Sequence, residues 1–128
     1  MILLDTSTWI WRTSEPARLS RAAKRALESA DRLLVSAISI WELSMLVAKR
    51  RIALDRPIED WVEAALALPG VDVVQLEARI AIRSTRLPGA FHPDPADRII
   101  VATALERSVP LVTPDDRIRD YQHVQSIW

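Results

Sequence analysis

Carboxylates at particular places in the chain offer the clearest chemistry. Asp5 ends the apolar run Ile2–Leu4, and Glu42 lies in Ser39-Ile40-Trp41-Glu42-Leu43. Asp94 and Asp97 lie in Asp94-Pro95-Ala96-Asp97-Arg98, and Asp115 and Asp116 follow Leu111-Val112-Thr113-Pro114. Taken singly, most of these have an ordinary structural explanation. Glu42 stands three residues after Ser39, the spacing of a capping box. Asp94 is a natural N-cap before Pro95. Asp97, Asp115 and Asp116 fall where first helical turns are expected, and the helix dipole favours acids there. Jointly they point further. Asp5 ends one apolar run, Asp115 follows another, and Glu42 opens the helix after a third at Leu33–Val35. In an open parallel sheet these positions share the carboxyl edge, where ligands bind. Helix N-termini aimed at one crevice keep carboxylates ionised, whereas crowding raises some of their pKa values; a divalent cation removes that conflict. Oxygen ligands, no cysteine and two histidines suit Mg2+ or Mn2+ better than Zn2+. An ion so held activates water and stabilises charge on a phosphodiester.

The elements that must position these acids follow from the hydrophobic pattern. Short continuous apolar runs at Ile2–Leu4, Arg32–Ser36, Val71–Leu76 and Leu111–Val112 read as strands covered on both faces, with Gln125–Trp128 as a possible edge strand. Helical patterns lie between them. Ser20 caps one with Ala22, Ala23, Ala26, Leu27 and Ala30 in register. Ser39 opens a second that runs to about Arg51, and Pro57 begins a third with Ile58, Trp61, Val62, Ala65 and Leu66 on one face. A fourth spans Glu77 to Arg86, a fifth starts at Pro95 after Asp94, and a short sixth starts at Pro114 after Thr113. The alternation implies an α/β domain with a mainly parallel sheet, and the 128 residues fit one such domain, 1–128. Gly70 and Gly89 are the only glycines, so a Gly-rich phosphate loop is excluded.

Composition narrows the function classes. With 17 basic and 17 acidic residues there is no strong net field to attract nucleic acid, so any such contact needs a local basic patch. The bases are nearly all arginine, which suits bidentate phosphate contacts, although a GC-rich genome gives the same bias. The absence of cysteine excludes disulfides, thiolate metal sites and cysteine nucleophiles. No signal-peptide pattern opens the chain and no apolar stretch approaches a membrane span, so the expectation is a cytoplasmic protein with no membrane contact.

Four segments in order then carry a resemblance. Leu3-Leu4-Asp5-Thr6-Ser7, Ser39-Ile40-Trp41-Glu42-Leu43, Asp94-Pro95-Ala96-Asp97-Arg98 running into Ile99–Ala104, and Leu111-Val112-Thr113-Pro114-Asp115 together resemble the PIN domain. More closely, they resemble the VapC-type toxins of bacterial toxin–antitoxin pairs. The likeness covers essentially the whole chain; each motif by itself is common, and the order and spacing of the four are specific. The resemblance implies a three-layer α/β/α fold with a mainly parallel central sheet. It also implies an endoribonuclease that depends on Mg2+ or Mn2+, forms a homodimer, cleaves an RNA substrate and is inhibited by a small cognate antitoxin. Asp5, Glu42 and Asp97 match the three core acids of the family, and Asp115 the fourth. Asp116 competes for that last role, but the family places the acid two residues after the threonine. Thr113 matches a hydroxyl residue often found near the site, and Asp94 an acid common in this subgroup.

Other residues have two readings each. Asp94 caps its helix and supports the metal ligands through water. Thr6 and Ser7 either bond phosphate or metal-bound water, or serve as turn and cap residues. Arg98 binds RNA phosphate or, as the nearer alternative, pairs with the neighbouring acids. His92 and His123 lack a metal-ligand spacing and read as surface histidines. Arg12, Arg86 and Arg117 are candidates for an RNA groove. Trp41 and Trp61 read as core or dimer contacts rather than base-stacking platforms. The helix from Ile40 to Val47 is apolar nearly all round and is a candidate surface for a second copy or the antitoxin. Two rival functions remain: a catalytically idle PIN-like binding module, and a phosphotransfer domain. The latter is disfavoured because Asp5 has no acid two residues later and Leu111-Val112 is followed by no lysine.

Overall fold

The computed structural model describes residues 1–128. The apolar runs become five strands, β1 (Ile2–Leu4), β2 (Leu33–Ser36), β3 (Val71–Val74), β4 (Leu111–Val112) and β5 (Ser126–Ile127). They form one sheet in the order β3-β2-β1-β4-β5. Every pairing in it is parallel, so all five carboxyl ends lie at the same edge. The helices are α1 (Thr6–Ser14), α2 (Arg21–Ser29), α3 (Ala37–Ala48), α4 (Ile58–Leu66), α5 (Ala78–Ser84), α6 (Pro95–Arg107) and α7 (Asp116–Arg119), with a 3-10 turn at Pro16–Arg18.

Side chains alternate across a strand, so successive residues feed opposite layers. Leu3, Leu34 and Leu111 pack with Ile80 of α5, Ile100, Val101 and Ala104 of α6, and Ile118 of α7. Their neighbours Ile2, Leu4, Leu33, Val35 and Val112 pack with Trp9 and Ile10 of α1, Ala23 of α2, Leu43 of α3, and Trp61 and Ala65 of α4. The result is an α/β/α sandwich. No helix is long and apolar enough to cross a membrane.

Several boundaries differ from the sequence reading, each for a local reason. No helix is expected after Asp5, since Thr6-Ser7-Thr8-Trp9-Ile10-Trp11 is rich in β-branched and aromatic residues of modest helix propensity. It is α1: Asp5 caps it, Trp9 and Ile10 bury against the sheet, and the Thr8 hydroxyl donates to Val112 O at 2.9 Å. The second predicted helix starts at Ala37, because Ser36 rather than Ser39 supplies the cap, accepting from Ile38 N. Pro57 is the cap of α4 and not its first residue. Asp115 likewise caps α7, so Pro114 lies outside the helix. The third strand stops at Val74, leaving Leu76 half exposed.

Candidate active site

At the carboxyl edge β1 hands the chain directly to α1 at Asp5. Its Oδ1 accepts from Thr6 N (2.8 Å), and its Oδ2 accepts from the Thr113 hydroxyl (2.6 Å) at the end of β4. Both oxygens of a carboxylate that is only 6% exposed are therefore fixed by neighbouring strands and a helix start. Thr113 is wholly buried, and its Oγ1 also accepts from Asp115 N (3.1 Å), so one hydroxyl ties two acids together. Glu42 reaches the same place from the second turn of α3. The Thr6 hydroxyl donates to Glu42 Oε1 at 2.6 Å and stands 2.8 Å from the buried Ser39 Oγ. Glu42 is thus held by a partner on α1 rather than by a capping box with Ser39, which lies inside the helix.

Asp94 caps α6, accepting from Ala96 N at 3.1 Å, and places Asp97 in the first turn of that helix. Asp97 is 7% exposed. Asp115 caps α7 and accepts from Arg117 N at 2.9 Å. Arg117 turns back over both acids, with Nη2 3.0 Å from Asp115 Oδ2 and 3.4 Å from Asp97 Oδ2. Asp5, Thr6, Glu42, Asp94, Asp97, Asp115 and Arg117 all line one open crevice of about 450 Å³, with Ser7 at its wall.

The electrostatics follow from the crowding. Burial pushes the carboxyl of Asp5 up, opposed by the Thr113 and Thr6 bonds and reinforced by Asp115 and Asp94. Burial also pushes Glu42 up, against the Thr6 bond, and Asp5 and Asp94 add to the rise. Asp97 is moved furthest, to about 7, first by burial and then by Asp5, Asp94, Asp115 and Glu42. Asp115 goes the other way: burial would raise it, but the Arg117 side-chain and backbone bonds and its charge outweigh that. The expected benefit of helix N-termini is therefore outweighed at Asp97, despite its place in a first turn, because burial and four like charges are the larger effects.

Other expectations are corrected by the packing. His92 is no surface histidine: its side chain is largely covered, and Nε2 lies 3.1 Å from Asp97 Oδ2 without the alignment of a hydrogen bond. Burial and the Arg117 charge lower its pKa, against the opposing pull of Asp115 and Asp94. Arg98 pairs with no acid. One step round the helix from Asp97, it donates instead to the carbonyls of Ser84 (2.8 Å) and Phe91 (3.0 Å), which secures the loop carrying His92. Asp116 points away, 85% exposed and paired with Arg119, so only Asp115 faces the crevice. Arg12 and Arg86 do not line it. Trp61 is core, edge-on to Trp9 with ring centroids 5.2 Å apart, whereas Trp41 is 55% exposed and belongs to no monomer core. His92 and Arg117 are the site neighbours whose contacts with the acids the pattern reading missed, and Ser39 joins them only through the Thr6 hydroxyl. His92 sits on a loop and Arg117 on the single turn of α7, too short for periodicity to predict direction.

The donor set fits a hard divalent cation: oxygen atoms only, excess negative charge, and one carboxyl lifted to about 7 by burial and then by four neighbouring acids. As the side chains stand, no three acids or histidines are close enough to hold one ion together. Arg117 is seated between Asp97 and Asp115 with its side chain 60% exposed.

Comparison with known proteins identifies the family. The family model for the PIN domain matches residues 2–124. Ribonuclease VapC22 of Mycobacterium tuberculosis is 40% identical over 129 residues, covering 99% of this chain and 98% of that protein. A toxin–antitoxin complex from Klebsiella pneumoniae contains a chain that is 28% identical with a TM-score of 0.64, covering 90% of this chain and 87% of that one. VapBC2 from Rickettsia felis, bound to a DNA fragment from their promoter, shares the fold at 16% identity and a TM-score of 0.72, with 98% and 97% of the two chains covered. An α/β/α sandwich with a parallel sheet, acids gathered at its carboxyl edge and a whole-length match to a named relative lead to one conclusion: this chain belongs to the PIN-domain family, alongside the VapC ribonucleases.

Proposed function

We propose that this protein is a metal-dependent endoribonuclease, acting in the cytoplasm as the toxin of a toxin–antitoxin pair. The observation that carries the reading is the gathering of Asp5, Glu42, Asp94, Asp97 and Asp115 around one open crevice, where burial and then the other four acids raise Asp97 to about 7. A relative named as a ribonuclease at 40% identity supports it. Asp5, Glu42, Asp97 and Asp115 would hold Mg2+ or Mn2+, with Asp94 close by. When bound, such an ion supplies an acidified water and stabilises the charge that builds on a phosphodiester. The chain's own residues do the positioning. Thr113 and Thr6 fix Asp5 Oδ2 and Glu42 Oε1, which orients both carboxylates before substrate arrives. Arg117, released from Asp97 and Asp115, pairs its planar fork with the phosphate. His92 stands against Asp97 with Nε2 3.1 Å from Oδ2 and covers one side of that carboxyl.

The partners follow the same reading. A small antitoxin would cover the crevice, as suits a chain whose relatives include members of toxin–antitoxin complexes. The exposed Trp41 on α3, with Ile38, Met45 and Pro95 around a neighbouring cavity, supports a homodimer or antitoxin contact there. The rival reading is a catalytically idle module; the full set of acids in one crevice favours the enzyme.

The test is cleavage of an RNA pool by the purified protein freed of any partner. Fragments should form with Mg2+ or Mn2+ and not with chelator, whereas intact RNA with both metals would contradict the enzyme. The two adjacent acids separate cleanly. Asp115→Asn should slow cleavage about 10–100-fold while keeping a good N-cap, and Asp116→Asn should change it by less than about twofold. Initial rates on one RNA, with melting temperatures alongside, check both.

A further inference from the structure

A second cavity, of about 320 Å³, opens beside the acid crevice, between the loop before α6 and the segment after α7. The two share Arg117, and His92, whose Nε2 lies 3.1 Å from Asp97, lines the second. Rings follow one another along it. Phe91 and His92 have centroids 4.4 Å apart, Phe91 and Tyr121 4.9 Å, and Tyr121 and His123 5.2 Å. Tyr121 is buried and anchored through its hydroxyl, which donates to Pro88 O, while His123 is exposed and presents a free face. Gly89 forms part of the wall with φ +66°, and a Cβ there would lie 3.4 Å from His123 Nε2. The positive φ suits glycine at this turn, which brings its backbone against the histidine ring.

We propose that this cavity is a nucleobase subsite, receiving one unpaired base next to the phosphodiester held at Arg117. The proposal rests on the ribonuclease reading above. Three observations choose a base over a phosphate. The lining is a run of aromatic and imidazole rings, the surface on which unpaired RNA bases stack. Arg117 is the only arginine or lysine in it, and its guanidinium faces the acids. The exposed carboxylate of Asp120 at the rim repels a phosphate, while the exposed amide of Gln122 offers a donor and an acceptor to a base edge. The phosphate stays at Arg117 and the base turns toward His123. A cavity of this size, reached through one phosphate, takes a single ring system and not a base pair, so the substrate is unpaired at that nucleotide.

Sequencing the cut ends of a randomised single-stranded RNA, cleaved with Mn2+, tests this. The wild-type protein should prefer particular bases at one position flanking the cut, and Gln122→Ala should flatten the preference at that position alone. On a preferred oligonucleotide, His123→Ala should raise KM about tenfold with kcat changed less than about twofold, and His123→Phe, which keeps a stacking ring, should restore KM. Melting temperatures of all three variants should match the wild type. If the wild type cleaves RNA and neither the preference nor KM moves in the alanine variants, the subsite is wrong and the ribonuclease stands. If the wild type cleaves nothing, both fall together.

Discussion

Asp97→Asn should lower RNA cleavage by about 10²–10³-fold and yet, at pH 8 in chelator, make the protein more stable. Loss of activity is expected if Asp97 is one of the four acids that hold the proposed ion. The gain in stability follows from the same carboxylate's surroundings. Its pKa is about 7 in the folded chain against 3.8 as an ordinary side chain, because burial and four acids oppose its charge. Between these values the folded protein keeps a proton that the unfolded chain releases. Stability therefore falls as pH rises through that window and levels off above about 7. Above it, the wild type carries a buried charge that asparagine lacks. The difference is on the order of a few kcal/mol, or roughly 10 °C in melting temperature for a domain of this size. At pH 4 the wild-type carboxyl is protonated and the advantage should vanish. Thermal unfolding of both proteins from pH 4 to 8 reads this directly. Equal pH slopes would mean that Asp97 is not the strained group.

A second large effect belongs to the metal itself. A divalent ion that binds only the folded chain stabilises it by about 2.7 kcal/mol at a hundredfold excess over its dissociation constant. For a domain of this size that is roughly 10 °C at pH 8. Because the ion competes with the proton on Asp97, the rise should shrink below about pH 6. It should be absent in Asp97→Asn. Arg117→Ala should leave metal-induced stabilisation at least as large, since the guanidinium between Asp97 and Asp115 occupies the place of a counter-charge. Differential scanning fluorimetry with Mn2+ and Ca2+ checks the set; the same rise in Asp97→Asn would place the ion elsewhere.

How much of this was legible in the sequence depended on how each residue is positioned. Ile2–Leu4 and Leu33–Val35 gave strands because unbroken apolar runs have few alternatives, and parallel pairing then put Asp5, the start of α3 and Asp115 at one edge. Asp94-Pro95 announced α6, since proline at the first helical position after an acid cap is a local signal. The α1 helix was not legible. Its residues favour helix poorly, and its stability comes from Trp9 and Ile10 packing on strands distant in sequence. Ser39 looked like a cap because a serine three residues before a glutamate fits the pattern. Ser36 takes that role where β2 ends, and the one-turn shift moves Glu42 onto Thr6. Asp115 and Asp116 could be ranked only by the family's spacing; the cap geometry turns one inward and the other to solvent. His92 depends on a loop conformation and Arg117 on the four-residue α7, neither of which a periodic pattern encodes.

Calorimetric titration of Mn2+ into chelator-stripped wild-type protein near pH 7, in two buffers of different ionisation heat, bears most directly on the acid crevice as a metal site. Binding should occur and should release part of a proton, because Asp97 is partly protonated at that pH and must lose its proton to become a ligand. Asp97→Asn should bind far more weakly and release none. No binding to the wild type, or identical isotherms for the two proteins, would contradict the metal site and leave a PIN-like binding module in its place.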